Sequence, residues 1–129
     1  MTFPDDLKYS KEHEWVKVEG SVATIGITDY AQDQLGEIVF VELPSEGEEF
    51  GKEDVFGVVE SVKSVNDVYA PIGGKVIEVN DPLSDGPEII NEDSYGEGWL
   101  IRMEVADAKE LKDLMTAKQY EAFIKEESE

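Results

Sequence analysis

The sequence contains no cysteine, a single histidine and few basic residues, and each shortage excludes a class of protein. Without cysteine there can be no disulfide framework, no thiolate metal site and no cysteine nucleophile, so any sulfur chemistry needs a cofactor. Eleven Lys and Arg stand against 31 Asp and Glu, which gives a formal net charge of −20. Because phosphate contacts require clustered Lys and Arg, we expect neither nucleic acid nor an anionic membrane surface as a partner.

Long apolar runs are also missing, and none approaches the length that crosses a membrane. Residues 1–6 contain neither the basic and apolar stretches of a secretory signal nor the Arg and Ser of a transit peptide. We therefore expect a cytoplasmic protein. Its like charge favours a monomer and suits docking onto basic clefts of partner proteins, although solubility alone explains the charge equally well.

Motifs of catalysis are absent as well. There is no nucleophile elbow, and Gly73-Gly74 lacks the spacing of a phosphate-binding loop. If the segment around His13 begins a strand, Glu12 and Glu14 face one way and His13 the other, so the three cannot bind one metal ion. We expect a structural or surface role for His13, no metal site and no enzymatic activity.

Short apolar segments separated by turn residues make up most of the chain. Val16 and Val18 alternate with polar residues before the turn at Gly20-Ser21, which predicts a hairpin over 14–28. Further segments have the composition of strands, at 38–43, 55–60, 67–69, 75–79 and 99–104. We expect the 38–43 strand to be largely buried.

Helix signals lie between and after these strands. Residues 29–35 read as a short helix with Thr28 or Asp29 as the N-cap and Gly36 just past its end. Asn80 precedes an expected single helical turn. The C-terminal stretch changes to helical spacing and predicts two short helices, or one broken near Thr116. Two pairs have capping-box spacing, Asp107 with Glu110 and Thr116 with Gln119.

This pattern predicts a mainly β protein, a small sandwich or barrel with helices at its margins. The chain of 129 residues fits one domain, and it contains no linker or low-complexity tract. We therefore expect a single domain over 1–129, with frayed ends at 1–6 and 126–129.

Lys63 stands out by its position between two predicted strands. Only residues 61–66 separate these strands, so the connection is a tight turn that points Lys63 into water. For an isolated turn lysine, a solvated charge is the ordinary explanation. The turn by itself assigns no function.

A resemblance to a known family adds to this picture. Residues 58–80, VVESVKSVNDVYAPIGGKVIEVN, resemble the lipoyl-attachment hairpin of biotinyl/lipoyl domains, and more closely that of the H proteins of the glycine cleavage system. Residues 7–44 resemble that family's amino-terminal half, and 87–105 its carboxy-terminal segment. The resemblance implies a flattened β-barrel or sandwich of two small sheets (a barrel-sandwich hybrid) with short appended helices, including a C-terminal helical segment.

The resemblance also implies site residues. Lys63 matches the lysine that carries covalent lipoate, and a biotin site is disfavoured because its neighbours are Val62 and Ser64 rather than Met. Glu60 would help a lipoylating enzyme to recognise the hairpin, and Gly74 would permit its return turn. Ordinary turn chemistry explains Glu60 and Gly74 equally well.

A lipoyl-bearing carrier of the glycine cleavage system is the function that the resemblance implies. Such a carrier shuttles the aminomethyl group of glycine between glycine decarboxylase (P protein), a folate-dependent aminomethyltransferase (T protein) and a flavin dihydrolipoyl dehydrogenase (L protein). Glu14 and Asp67 match positions in a cleft that shields the loaded arm, where a carboxylate would receive the protonated amine. Glu12 departs from the pattern, since some relatives have a small hydroxyl residue there.

Three other functions remain open from the sequence. The chain could be an H-like protein that mainly donates lipoyl groups to other carriers. A lipoyl domain of a 2-oxo-acid dehydrogenase complex is less consistent with the missing linker and the helical tail. The third is an unmodified acidic binding module in which Lys63 is incidental.

Overall fold

The computed structural model describes residues 1–128, apart from the Ser128 side chain, and within them nine antiparallel strands form two sheets. The strands are β1 Lys8–Tyr9, β2 Glu14–Glu19, β3 Val22–Ile27, β4 Ile38–Glu42, β5 Glu49–Phe50, β6 Val55–Ser61, β7 Val65–Tyr69, β8 Gly74–Val79 and β9 Ile101–Val105. The helices are α1 Asp29–Leu35, α2 Ile89–Glu92 and α3 Ala117–Ser128, with 3-10 segments at Asp81–Ser84 and Ala108–Asp113. None of these helices has both the length and the hydrophobicity needed to cross a membrane.

The two sheets enclose the main hydrophobic core. The larger sheet has the order β1-β2-β3-β9-β8-β5, and the smaller one has the order β4-β6-β7. Ile25 and Met103 are fully buried in the larger sheet, and Val41 and Val59 cover them from the smaller sheet as part of the same cluster. The predicted mainly β architecture of two sheets with appended helices is therefore confirmed.

A second, separate cluster attaches the C-terminal helix to the larger sheet. This aromatic cluster consists of Leu7, Tyr9, Trp15, Ala117 and Tyr120. The rings of Tyr9 and Tyr120 stack with centroids 4.8 Å apart and planes 6° apart, a pairing that contributes about 1 kcal/mol beyond the burial of its area. The aromatic cluster therefore fixes α3 against β1 and β2.

Most predicted helix ends are present. The Thr28 hydroxyl accepts a hydrogen bond from the Ala31 N–H at 3.1 Å, and Gly36 ends α1 with a φ of 79°. Thr116 and Gln119 form the predicted reciprocal capping box: the Thr116 N–H donates to Gln119 Oε1 at 2.9 Å, and the Gln119 N–H donates to Thr116 Oγ1 at 3.2 Å.

The second predicted capping box is wrong. The Asp107 side chain accepts from the Lys109 N–H, and the Glu110 N–H donates to the Asp107 carbonyl, but the Glu110 side chain does not bond to the Asp107 N–H. Glu110 Oε1 instead accepts the Gly73 N–H at 2.8 Å, because the 3-10 segment packs against the connection between β7 and β8. A long-range partner has replaced the local one.

The strand predicted over 38–43 is only half buried, contrary to expectation. Ile38 and Val41 point into the core, whereas Val39 and Phe40 are about half exposed. A bulge between Ile38 and Phe40 places two consecutive side chains outward, and this sheet covers the core with one face only. The apolar run alone did not reveal this.

Both chain ends have contacts in the structure. The Thr2 N–H donates to Asp29 Oδ2 at 3.1 Å, and the Tyr95 hydroxyl donates to the Thr2 carbonyl at 2.7 Å. Residues 126–128 continue α3, and Glu129 lies outside the described residues. Fraying of 1–6 and 126–129 stays a prediction.

Gly74 lies within a strand rather than in a turn. It begins β8 between Phe50 of β5 and Val105 of β9, and the return from β7 is made by 70–73. A Cβ at Gly74 would collide with the carbonyl oxygen of Glu104. Gly74 directly follows this return and permits the close approach of two backbones. A role for Gly74 in the return turn stays a prediction.

Replacing Gly74→Ala is expected to lower the free energy of unfolding by about 1–3 kcal/mol, because the carbonyl of Glu104 must move. Urea unfolding followed by circular dichroism measures the change. Gly86→Ala is the control, since a Cβ there meets only the side-chain ends of Glu88 at 3.4 Å and Ile89 at 3.6 Å. Equal midpoints for the two variants would contradict this account.

Candidate functional site

Lys63 lies at the tip of the hairpin formed by β6 and β7. The turn consists of Val62, Lys63 and Ser64, shorter than predicted because β7 begins at Val65. The buried Ser61 fixes it: its hydroxyl oxygen accepts from the N–H groups of Lys63 at 3.3 Å and Ser64 at 3.2 Å. The Lys63 side chain is exposed and forms no ion pair within residues 1–128.

The turn is also tied to the end of α1. The Val62 N–H donates to the Glu37 carbonyl at 3.0 Å. A Cβ built on Gly36 would lie 3.6 Å from Lys63 Cε, so the lysine stem passes over the residue that ends α1. Lys63 therefore extends along the side of the hairpin that faces this helix.

A cleft of about 440 Å³ opens on the same side. Its walls are the start of β2, helix α1, strand β7 and the end of α3. The lining residues are Glu12, His13, Glu14, Ile27, Tyr30, Ala31, Gln34, Leu35, Val59, Asn66, Asp67, Val68, Tyr69 and Glu127. Leu35 directly precedes Gly36, so the cleft begins beside the stem of Lys63.

Glu14 forms a buried carboxylate wall of this cleft, with only 2% of its surface exposed. The Ser10 hydroxyl donates to its Oε1 at 2.5 Å, and the Tyr69 N–H donates to its Oε2 at 3.3 Å. Burial raises the pKa of Glu14 to about 7, the two hydrogen bonds oppose this increase, and the nearby charge of Glu12 adds to it. Near neutral pH Glu14 can therefore hold or release a proton.

The structure brings together some of the predicted site residues and separates others. Asp67 lies on β7 and lines the same cleft as Glu14, but it is exposed, and Glu12 lines the cleft as well. Glu60 is half-buried on β6 and does not line the cleft. Gly74 belongs to the other sheet. Glu14 and Asp67 thus line one cleft, and the stem of Lys63 passes beside it over Gly36.

The alternation predicted around His13 is wrong. His13 adopts a positive φ of 71° in a turn, and β2 begins only at Glu14. Its Nδ1 is 2.9 Å from the Tyr120 hydroxyl, and its Nε2 is 3.1 Å from the Glu127 carboxylate. His13 therefore has the structural role expected for it, connecting β2 to α3. No group of His, Asp and Glu within the described residues could hold a metal ion.

Two contributors to the site were not predicted from the sequence. Tyr120 places its hydroxyl 2.7 Å from Thr28 Oγ1 as well as against His13, and burial raises the pKa of Tyr120, so this hydroxyl stays protonated. Glu127 lines the cleft from the end of α3. Helical spacing indicated that Tyr120 packs, but only the fold shows what it packs against.

Comparisons with known proteins agree with this geometry. The sequence pattern of the glycine cleavage H-protein family matches residues 7–127. A glycine cleavage system H protein of Oceanobacillus iheyensis is 58% identical over 126 residues, which cover 98% of this chain and 100% of that protein. One from Anaeromyxobacter sp. (strain K) is 57% identical over 127 residues, covering 98% of this chain and 99% of the relative.

A solved structure shows the same fold. The crystal structure of a glycine cleavage system H protein from Mycobacterium marinum superimposes with a TM-score of 0.82 at 36% identity, covering 93% of this chain and 97% of that one. The sequence match over residues 7–127 includes the hairpin, the cleft residues and both sheets. The chain therefore belongs to the glycine cleavage H-protein family.

Proposed function

We propose that residues 1–129 form one lipoyl-carrier domain in which lipoate is joined by an amide bond to Nζ of Lys63. As a member of its family, the chain is a lipoyl-bearing carrier of the glycine cleavage system. The observation that carries the assignment of Lys63 is its exposed position on a fixed turn beside a cleft with a buried carboxylate.

The residues around Lys63 fit an attached lipoyl group. No ion pair within residues 1–128 competes for the Lys63 ammonium, and the cleft has a volume typical of small-molecule sites. Ile27, Leu35 and Val59 provide apolar walls for a hydrocarbon chain. When attached, a lipoyl group supplies a cyclic disulfide that opens by thiol exchange and can carry both a group and two electrons.

The cleft carboxylates would bind the protonated amine of the cargo. An amine cation next to Glu14 favours the ionised form of this carboxyl, so Glu14 releases its proton as the cation arrives and then accepts a charge-assisted hydrogen bond. Asp67 of β7 adds a second acceptor in the same cleft. The apolar residues of α1 and β3 exclude water from the rest of the arm.

No sequence motif singles out a nucleophile or an acid–base pair, and we propose that the chain acts as a carrier rather than an enzyme. Its partners are then glycine decarboxylase, aminomethyltransferase, dihydrolipoyl dehydrogenase and a lipoylating enzyme, which it meets as a cytoplasmic monomer. Nothing in the comparisons favours the alternative of a lipoyl donor to other carriers.

The attachment site is tested by incubating the protein with lipoate, ATP and a lipoate–protein ligase. Intact mass spectrometry is expected to show one lipoyl increment, mapped to Lys63 by peptide analysis and absent from Lys63→Arg. Lys75→Arg, an exposed lysine of β8, is the matched control and should be modified like the wild type. Well-folded wild-type protein without the increment would overturn the assignment.

Removing a cleft carboxylate should expose the cargo to water. We expect Asp67→Asn to accelerate spontaneous ammonia release from the loaded, lipoylated protein about tenfold, because one charge-assisted hydrogen bond to the amine is lost. Ammonia is measured over time after the decarboxylase has been removed. Asp85→Asn, an exposed residue outside the cleft, is the control. If both variants release ammonia at the wild-type rate, Asp67 does not hold the amine.

Glu14 should make stability depend on pH. Its pKa of about 7 in the folded protein exceeds the ordinary value of 4.5, so the folded state binds the proton more tightly. The resulting stability is present below pH 4.5 and is lost as the pH rises through 7. We therefore expect Glu14→Gln to gain up to about 3 kcal/mol relative to wild type between pH 4 and pH 8.

Urea unfolding at several pH values tests this expectation. Glu19→Gln, an exposed carboxylate on the same strand, is the control for replacing a carboxylate by an amide. A difference between Glu14→Gln and wild type that does not change with pH would show that Glu14 does not titrate in this range.

A further inference from the structure

A second cleft, of about 320 Å³, adjoins the cleft beside Lys63 and shares Glu14 with it. Its walls are the segment between β1 and β2, the turn before β6, the connection between β7 and β8, and the residues that follow the second 3-10 segment. The residues that line both clefts are Glu12, Glu14 and Tyr69. Glu14 is therefore a buried wall common to two clefts.

Ser10 connects Glu14 to the second cleft. It lines that cleft but not the first one. The Ser10 N–H donates to the Glu14 carbonyl at 2.9 Å, and the Glu14 N–H donates to Ser10 Oγ at 3.0 Å, so the two residues are fixed relative to each other. Ser10 Oγ also lies 2.5 Å from Glu14 Oε1. The hydroxyl thus stands between the buried carboxyl and the second cleft.

The hydrogen bonds indicate which oxygen of Glu14 carries a proton. Oε2 accepts from the Tyr69 N–H at 3.3 Å, whereas Oε1 faces a hydroxyl that can either donate or accept. In neutral Glu14 the Oε1–H donates to Ser10 Oγ, and in ionised Glu14 the Ser10 hydroxyl donates to Oε1. Because the pKa of Glu14 is raised to about 7, both arrangements occur near neutral pH.

Backbone strain occurs at both clefts. Within the described residues, His13 and Glu53 are the only residues other than glycine with a positive φ, at 71° and 73°. His13 lines the first cleft and Glu53 lines the second. Such conformations are unfavourable for residues with a Cβ, and they cluster at functional sites. The second cleft shares this property with the first.

We propose that Ser10 is a positioning residue that carries the Glu14 proton into the second cleft while the cargo amine occupies the first, an inference that rests on the proposed function. As the Oε1–H bond of Glu14 breaks, its proton passes to Ser10 Oγ, and the Ser10 hydroxyl gives its own proton to water in the second cleft. One proton moves and no electrons are exchanged. Because this exit stays open when the arm fills the first cleft, Glu14 can titrate with the cargo in place.

Other charged groups also line the two clefts. They are Glu12, Glu53, Asp67 and Lys11, together with two ion pairs, His13 with Glu127 and Lys52 with Asp113. Histidine is the residue type that ordinarily changes charge between pH 5 and pH 8, whereas tyrosine does not ionise in this range. A test of the proposal therefore has to separate Glu14 from His13.

The protection of the cargo between pH 5 and pH 8 tests the proposal. It is measured as the rate of ammonia release from a proteolytic digest of the loaded, lipoylated protein divided by the rate from the intact protein, which removes the pH dependence of the chemistry itself. In the wild type we expect protection to fall about tenfold from pH 8 to pH 5, because protonation of Glu14 removes a charge-assisted hydrogen bond to the amine.

Variants of Ser10 should change the shape of this profile. Ser10→Ala and Ser10→Val are expected to give a nearly flat profile, because Glu14 cannot then take up a proton while the arm is docked. Ser10→Thr, which has the shape of Val but keeps a hydroxyl, should retain the wild-type dependence. Urea unfolding checks that all three variants are folded.

Two further variants are controls. Ser21→Ala replaces an exposed serine outside both clefts and should match the wild type. Glu12→Gln should move the profile to lower pH without flattening it, because it removes a charge that raises the pKa of Glu14.

The outcomes separate the proton exit from the proposed function. A Ser10→Ala profile that is only shifted to higher pH would show that the hydroxyl merely stabilises the ionised carboxylate, and the exit route would be wrong. An unchanged Ser10→Ala profile would assign the pH dependence to another group, such as His13, and a flat profile in a protected wild type would remove that dependence altogether; both contradict the proposal. Wild-type release as fast as that from the digest at every pH would overturn the proposed function itself.

Discussion

The geometry of the site depends on one buried carboxylate. Glu14 begins β2 in the larger sheet, and the N–H that bonds to it belongs to Tyr69, the last residue of the hairpin that carries Lys63. This contact joins the two sheets at the bottom of the cleft, and Ser10 satisfies the other carboxylate oxygen. Burying a carboxylate is unfavourable unless its oxygens are bonded, so the fold must hold all three residues in place.

The aromatic cluster helps to hold the walls of the cleft in place. Stacking of Tyr120 on Tyr9 sets the position of α3, and the Tyr120 hydroxyl then contacts both His13 and Thr28. His13 directly precedes Glu14, and Thr28 caps α1, so one hydroxyl positions two walls of the cleft. The C-terminal helix, which carries none of the predicted site residues, is thus part of the structure that shapes the site.

Lys63 separates two surfaces of different character. On one side its stem passes over Gly36 towards a cleft with apolar walls and two carboxylates, which suits an arm with a cationic end. On the other side the smaller sheet presents exposed Phe40 and Val65 around Glu60. The hairpin lies beside both surfaces because β7 is an edge strand of the smaller sheet.

The sequence by itself determined seven of the nine strands, a cap of α1 at Thr28 or Asp29, the capping box at Thr116 and the turn that exposes Lys63, because each depends on neighbouring residues. The two-residue strands β1 and β5 were not predicted. The identity of that turn as an attachment site came from resemblance to a family. Only the tertiary structure decided that Glu14 is buried, that Gly74 lies between two strands and that Glu110 bonds to Gly73, since residues distant in sequence supply those environments. Local pattern determines what a segment can form, and long-range packing determines which side chains lose water.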